Sequence, residues 1–355
     1  MREPAFWWRG DGAAARLLAP AGAAYGFVAA RRMAQPGRPA AVPVLCVGNF
    51  TVGGSGKTPT AIAVARLLSR CGRRPFFLSR GYGGRLAGPV RVDAQPADMV
   101  GDEPLLLARI APTIVARDRP AGAAAAAQAG ADAIVMDDGW QNPSLCKDLA
   151  IAVLDGRRGI GNGRVFPAGP LRAPLESQLD RADALMLIGP PAAGAEPAIA
   201  AAQRRGLPRF EGELAPDPTV IATLAGARVL AFAGIADPDK FFATLEAGGV
   251  AVVARRGFAD HHRFTEREVA ALLALADRER LMPVTTEKDL ARLAGDPRAR
   301  ELVARTTTLP VTLTLGDPAG FERMVLGALG ARQAADSLPM VTANQALTSR
   351  PESLS

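Results

Sequence analysis

Val44-Leu-Cys-Val-Gly-Asn-Phe-Thr-Val-Gly-Gly-Ser-Gly-Lys-Thr58 reads as a short apolar strand, a glycine-rich turn, and a lysine and threonine opening a helix through Ala65 and Leu68. That order suits a phosphate-binding loop. Backbone N–H groups converge on an anion at a helix N-terminus, the lysine reaches the β/γ oxygens and the hydroxyl holds Mg²⁺. Thr51, Val52, Gly53, Gly54, Ser55, Gly56, Lys57 and Thr58 are therefore the candidate nucleotide cradle. Thr51 stands where the common G-x-x-x-x-G-K-[ST] pattern has glycine. Lysine otherwise occurs only at 147, 240 and 288 in a chain that prefers arginine, which sets Lys57 apart. A second apolar run, Ala133 to Met136, ends in Asp137 and Asp138. A strand that delivers carboxylates to the sheet edge beside a phosphate loop makes both candidates for Mg²⁺.

Outward from these segments, apolar runs recur at Val42–Val47, Pro75–Ser79, Thr113–Ala116, Ala133–Met136, Ile151–Leu154 and Ala184–Ile188, separated by helical patterns. The alternation predicts an α/β fold with a parallel sheet covered by helices. A second set at Val229–Ala233, Val250–Ala254, Met282–Thr285 and Thr308–Leu315 predicts a smaller α/β domain. Pro216 and Pro218 mark the boundary. The expected division is 1–40 as a membrane-associating segment, 41–216 as the nucleotide-binding domain, 217–332 as the smaller domain, and a polar, disordered tail over 333–355.

The 355 residues suit two domains, and the mean hydropathy of +0.10 excludes a polytopic membrane protein. A net charge of +7 favours anionic partners without choosing among them. Cys46, Cys71 and Cys146 form no C-x-x-C pair, against a disulfide framework or a zinc site. The first apolar stretch begins after Glu3 and Asp11 and is interrupted by Arg16 and Pro20, so no secretory signal is expected. Trp7, Trp8 and Arg9 before it and Arg31 and Arg32 after it give the pattern of a helix lying on a membrane, too short and broken to span one. The alternative is an Ala-rich helix packed on the body, with the tryptophans in the core.

The loop Gly48-Asn-Phe-Thr-Val-Gly-Gly-Ser-Gly-Lys-Thr-Pro59 resembles that of the tetraacyldisaccharide 4'-kinase family, in which threonine at the place of Thr51 is usual. The likeness continues in order through Ser79-Arg-Gly-Tyr-Gly83, Gly101-Asp-Glu-Pro104, Asp137-Asp-Gly-Trp-Gln141, Gly161-Asn-Gly-Arg164, Pro167-Ala-Gly-Pro-Leu-Arg172, Asp260-His261 and Thr286-Glu-Lys-Asp289. It implies Mg²⁺-dependent transfer of the ATP γ-phosphoryl group to the 4'-hydroxyl of a lipid-linked glucosamine disaccharide 1-phosphate in lipid A biosynthesis. It also implies a Gram-negative source and peripheral attachment to the cytoplasmic face of the inner membrane, an anionic surface. No nucleic acid or obligate protein partner is expected. The resemblance makes Asp102 the base and His261 its partner in a dyad. From the residues alone, Asp102 reads first as a helix start and the His261-His262 pair as a surface loop. Asn49, Arg80, Gln141, Arg164 and Arg172 are candidate contacts to acceptor or phosphate, with plain surface charge the alternative for the arginines. The chain has Asn142 where the family commonly has histidine and Ala173 where it has glutamate, leaving that role vacant or taken by Glu176.

The rival reading is a GTPase or ATPase for metal or cofactor delivery. It shares the loop and the Asp-rich strand end, and Thr286-Glu-Lys-Asp289 superficially resembles a guanine-reading motif.

Overall fold

The computed structural model describes residues 3–10 and 12–337. Thirteen strands run in chain order: β1 (Val44–Asn49), β2 (Pro75–Ser79), β3 (Val90–Arg91), β4 (Thr113–Val115), β5 (Ala133–Asp137), β6 (Leu149–Asp155), β7 (Ala184–Ile188), β8 (Arg209–Pro216), β9 (Arg228–Ala233), β10 (Ala251–Gly257), β11 (Met282–Thr286), β12 (Thr307–Leu309) and β13 (Val311–Leu315). Nine of them form one sheet in the order β13-β8-β7-β6-β1-β5-β2-β4-β3, and four form a second, β10-β9-β11-β12. The large sheet is parallel except at its edges, where β13 and β3 run antiparallel to their neighbours. The α/β architecture expected from the alternation is present.

β1 is buried along its whole length because helices cover both faces of the sheet. Successive side chains alternate, so Val44 and Cys46 join one apolar cluster while Leu45 and Val47 join the other. The helix Lys57–Arg70 covers the second face with Ala61, Val64, Ala65 and Leu68, at the i, i+3, i+4, i+7 spacing of one helical stripe. Register places Val47 beside Asp137, so the loop after β1 and the carboxylates after β5 leave the sheet side by side. This is the carboxyl edge where open parallel sheets bind ligands.

The run expected as one strand, Thr308–Leu315, is two. Pro310 has no N–H to continue a ladder, and on either side of it β12 pairs with β11 of the small sheet while β13 pairs with β8 of the large one. The N–H of Asp217 donates to the Pro310 carbonyl at 2.9 Å, so the two crossings between sheets lie side by side. The last helix, Pro318–Ser337, then returns to the large sheet, burying Phe321, Val325 and Leu329. It carries the chain through the first residues of the expected tail; residues 338–355 of that tail lie outside the described residues.

The N-terminus differs from expectation in two respects. Ala13–Met33 is one uninterrupted helix despite Arg16 and Pro20. Its 21 residues span about 31 Å at 1.5 Å each, so it is long and apolar enough to cross a membrane by length and composition. One proline removes one hydrogen bond, and the alanine- and leucine-rich neighbours restore the rest. The tryptophans, by contrast, face the protein: Trp7 is 5% exposed and donates Nε1 to the Pro167 carbonyl at 3.0 Å, and Trp8 donates to Glu3. Leu17, Phe27 and Val28 project outward at 82%, 67% and 64% exposure. The membrane reading thus attaches to the outer face of the helix and the packed reading to the tryptophans.

Candidate active site

Gly56 closes the turn after β1 with φ 91°, a left-handed conformation open chiefly to glycine, and Lys57 begins the helix. Thr51 is bridged to Leu171, and the N–H of Val52 donates to the Pro170 carbonyl at 2.8 Å. The Lys57 ammonium donates to the Gly53 carbonyl at 3.3 Å and lies 3.9 Å from Asp138. Burial lowers its pKa from the ordinary lysine value. The Thr58 hydroxyl donates to Asp137 Oδ2 at 3.0 Å, while Asp137 Oδ1 and the Ser55 hydroxyl are buried without a hydrogen-bond partner. Burial, together with the charges of Glu103 and Asp138, pushes the Asp137 carboxyl up to about 7.

Asp138 takes a different part. At φ 54° it turns away from Asp137 and receives a two-pronged bond from Arg172, Nη1 to Oδ1 at 2.7 Å and Nη2 to Oδ2 at 3.1 Å. Burial would raise its pKa, but Arg172 and Lys57 outweigh that and hold it well below the usual carboxylate range. Arg172 Nε also donates to the Thr51 carbonyl at 2.8 Å. Gln141 donates to the Asn49 carbonyl at 2.8 Å and to Gln178, and Gln178 donates to the Phe50 carbonyl. Asn49 and Gln141 therefore brace the loop from behind. Of the five candidate contact residues only Arg172 lines the cleft, together with Asp138. Arg80 is exposed at the end of β2, and Arg164 sits in the turn beside the N-terminal helix. Glu176 is paired with Arg205 on the surface, so it does not stand in for the glutamate missing at Ala173.

The cleft, about 690 Å³, opens between the two sheets and has Lys57 and Thr58 on one wall and His261 on another. Asp102 and His261, 159 residues apart, meet at 3.1 Å between Oδ2 and Nδ1. Gly101, at φ 95°, starts the helix Asp102–Ala108, and His261, at φ 53°, turns out of the loop after β10 with its N–H on the Gly234 carbonyl. Asp102 is 4% exposed and lies beneath the imidazole. Burial would raise its pKa, yet the His261 hydrogen bond and the charges of Arg292 and Lys288 keep it well below the ordinary range. Burial would lower His261, but the bond and charge of Asp102 prevail and its pKa is raised from the ordinary imidazole value. His262 turns elsewhere, stacked on Phe258 and bonded to Glu268 at 2.9 Å.

Arg292, Lys288 and Glu103 complete the arrangement; Lys288 stands in the Thr286–Asp289 motif, and Arg292 carries no local sequence signal of its own. Arg292 Nε donates to Asp102 Oδ2 at 2.6 Å, and its Nη1 bonds both Asp289 and the Gly234 carbonyl. Lys288 bonds Glu103 at 2.6 Å. The helix Glu287–Ala294 of the small-sheet unit thus grips the first turn of the Asp102 helix. Its own start is capped by Thr286, whose side chain accepts from the Asp289 N–H. The signal was the Thr286–Asp289 motif, three residues beyond which Arg292 reaches Asp102.

Residues 14–330 match the family model of tetraacyldisaccharide-1-P 4'-kinase. The chain is 55% identical over 333 residues to the tetraacyldisaccharide 4'-kinase of Rhodopseudomonas palustris (strain BisA53), covering 93% of this chain and 97% of that one. It is 59% identical over 333 residues to that of Methylobacterium sp. (strain 4-46), covering 93% and 98%. Among solved structures, the "apo" form of LpxK from Aquifex aeolicus in complex with ATP matches with a TM-score of 0.68 at 26% identity, over 89% of this chain and 99% of that one.

Proposed function

The chain belongs to the tetraacyldisaccharide-1-P 4'-kinase family, and from that premise we propose how its residues divide the work. It is an ATP-dependent kinase that phosphorylates the 4'-hydroxyl of a tetraacylated disaccharide 1-phosphate, a step of lipid A biosynthesis. The observation that carries the division is one cleft with the phosphate loop on one wall and the Asp102–His261 pair on the other.

In our reading Thr51 to Thr58 cradle the ATP phosphates and Lys57 neutralises charge on the transferred group. The acceptor oxygen attacks the γ-phosphorus, the bond to the β,γ-bridging oxygen breaks, and ADP leaves. The hydroxyl proton passes to the Asp102–His261 pair, with the imidazole on the cleft wall and the carboxylate beneath it fixing ring and tautomer. Arg292 and Lys288 hold the carboxylate in its charged form. Arg172 clamps Asp138 to the loop and sets a second cation beside Lys57.

Mg²⁺ fits the donors present. The Thr58 hydroxyl and Asp137, whose Oδ1 is buried without a partner, are the oxygen donors that would hold it. Among the described residues no cluster of three acidic, His or Cys side chains cages a metal, as suits an ion held largely by phosphate and water. When bound there it would offset charge on the phosphates. Asp137 is the direct ligand in this reading, and Asp138 serves Lys57 and Arg172.

The rival guanine-reading role finds no support at Thr286–Asp289: Lys288 is engaged with Glu103, and Asp289 is fully buried holding the Gly234 N–H at 2.9 Å. Incubating the protein with γ-labelled ATP, Mg²⁺ and tetraacyldisaccharide 1-phosphate is expected to label the lipid. Release of labelled phosphate without labelled lipid overturns the division proposed here.

The outer face of the Ala13–Met33 helix lies, in this reading, on the cytoplasmic side of an anionic inner membrane. The double variant Leu17→Asp with Phe27→Asp is expected to lose sedimentation with anionic vesicles while its thermal midpoint stays put, because both side chains are exposed. Undiminished sedimentation removes this face from membrane binding.

A further inference from the structure

The segment before the N-terminal helix touches the phosphate loop itself. A Cβ built on Gly53 would come 2.1 Å from Glu3 Oε1, so the carboxylate is seated against the loop backbone. Glu3 Oε2 accepts from Trp8 Nε1 at 3.0 Å and pairs with Arg158, whose guanidinium lies 3.8 Å over the Trp8 ring. Glu3 Oε1 is buried with no hydrogen-bond partner. The strap is fixed by more than this pair: the Asn162 N–H donates to the Trp7 carbonyl at 2.8 Å and Trp7 to Pro167. On its other side the loop is bonded to Pro170 and Arg172, Val52 N–H to Pro170 and Arg172 N–H to Phe50.

We propose that Glu3, held by Arg158 and Trp8, is a positioning residue that presses the Gly53 turn into its nucleotide-ready shape, so that the N-terminal strap sets affinity for ATP. A run of glycines loses much conformational freedom on ordering. Contacts that order it before the ligand arrives remove that cost from binding. Glu3 does not line the cleft, where a carboxylate would meet the phosphates; it acts from the outer side. The effect therefore falls on binding and spares the chemical step. The strap leads directly into the helix with the exposed apolar face, joining the phosphate loop and that face in one packed assembly.

The inference rests on the phosphate-loop reading, and its test separates the two. Binding of a non-hydrolysable ATP analogue with Mg²⁺ is measured by calorimetry, and kcat and KM for ATP are measured on the full chain. Glu3→Ala and Arg158→Ala are each expected to weaken analogue binding and raise KM about fivefold with kcat nearly unchanged, the double variant being no worse than either. Unchanged affinity in Glu3→Ala, or a fall in kcat with affinity intact, overturns the proposal. If Glu3→Ala fails to fold, Arg158→Ala, which leaves Glu3 in place but removes the ion pair that holds it, is judged by the same two criteria. Lys57→Ala serves as the control: weakened binding there with none in the Glu3 variant removes the strap alone, and no weakening in either removes the loop reading as well.

Discussion

Exchanging Lys57 for alanine lowers turnover about a thousandfold and leaves the thermal midpoint close to that of the parent. The cation sits at the mouth of the helix Lys57–Arg70, 7% exposed, and touches only the Gly53 carbonyl and, at 3.9 Å, Asp138. Its burial already lowers its pKa, so the fold gains little from holding it charged. Asp138 keeps its two-pronged bond from Arg172 when Lys57 is gone, so the carboxylate paired with the ammonium stays satisfied. In the proposed division of work, what disappears is positive charge beside the transferred group. Steady-state kinetics with the lipid acceptor beside a calorimetric melt check both halves. Near-normal turnover, or a large drop in midpoint with kcat preserved, contradicts the role given to this side chain.

Alanine at Asp102 or at His261 lowers kcat by about two to three orders of magnitude, and the double variant is scarcely worse than either single one. Two groups that take one proton as a unit lose the whole function when either is removed. Separate structural roles would add their losses, and those losses would appear as instability. The pH profile gives an independent sign. His261 has a raised pKa because Asp102 stabilises its charged form, and the neutral imidazole is the form that accepts a proton. The acidic limb of kcat/KM is therefore displaced upward from free imidazole, and Asp102→Asn moves it back to lower pH as well as lowering its plateau. Stability runs the other way: the bonus of the charged pair is fully present below the unfolded imidazole pKa and fades as pH rises through the elevated one. Activity rises over the window in which that bonus declines. An unmoved limb in Asp102→Asn takes the carboxylate out of the proton path.

Legibility in the sequence followed how local each cause is. The strand, glycine turn and helix around Lys57 lie within 15 residues, and residue type and spacing alone announce them. Asp137 was visible because a strand ending in carboxylates has few purposes beside such a loop. That Asp138 turns onto Arg172 was not visible, because it depends on Asp138 adopting φ 54° and on Arg172 arriving from another segment. Asp102 and His261 were joined only through likeness to a family, since no periodicity links positions 159 apart. Arg292 has no local signal, because its place depends on the helix that bears it lying against Asp102–Ala108. Trp7 and Trp8 misled because aromatic residues beside basic ones suit a membrane edge and a buried strap equally well. The split of Thr308–Leu315 was signalled by Pro310, a residue that ends ladders, but which sheet each half joins is a long-range matter.

That split bears on how the chain is made. Strands β8 and β13 are antiparallel partners from Pro216 with Val311 through Gly212 with Leu315, yet every residue of the small sheet is synthesised between them. The edge of the nucleotide-binding sheet, and the Phe321, Val325 and Leu329 that cover its helix Lys57–Arg70, thus emerge from the ribosome after the whole of the small sheet. The half that carries the phosphate loop begins before the small sheet and is sealed after it. A ribosome-bound chain ending before residue 311 would display the unpaired edge of β8, a template for wrong pairing, and the small unit has the whole of that interval in which to form its own parallel sheet.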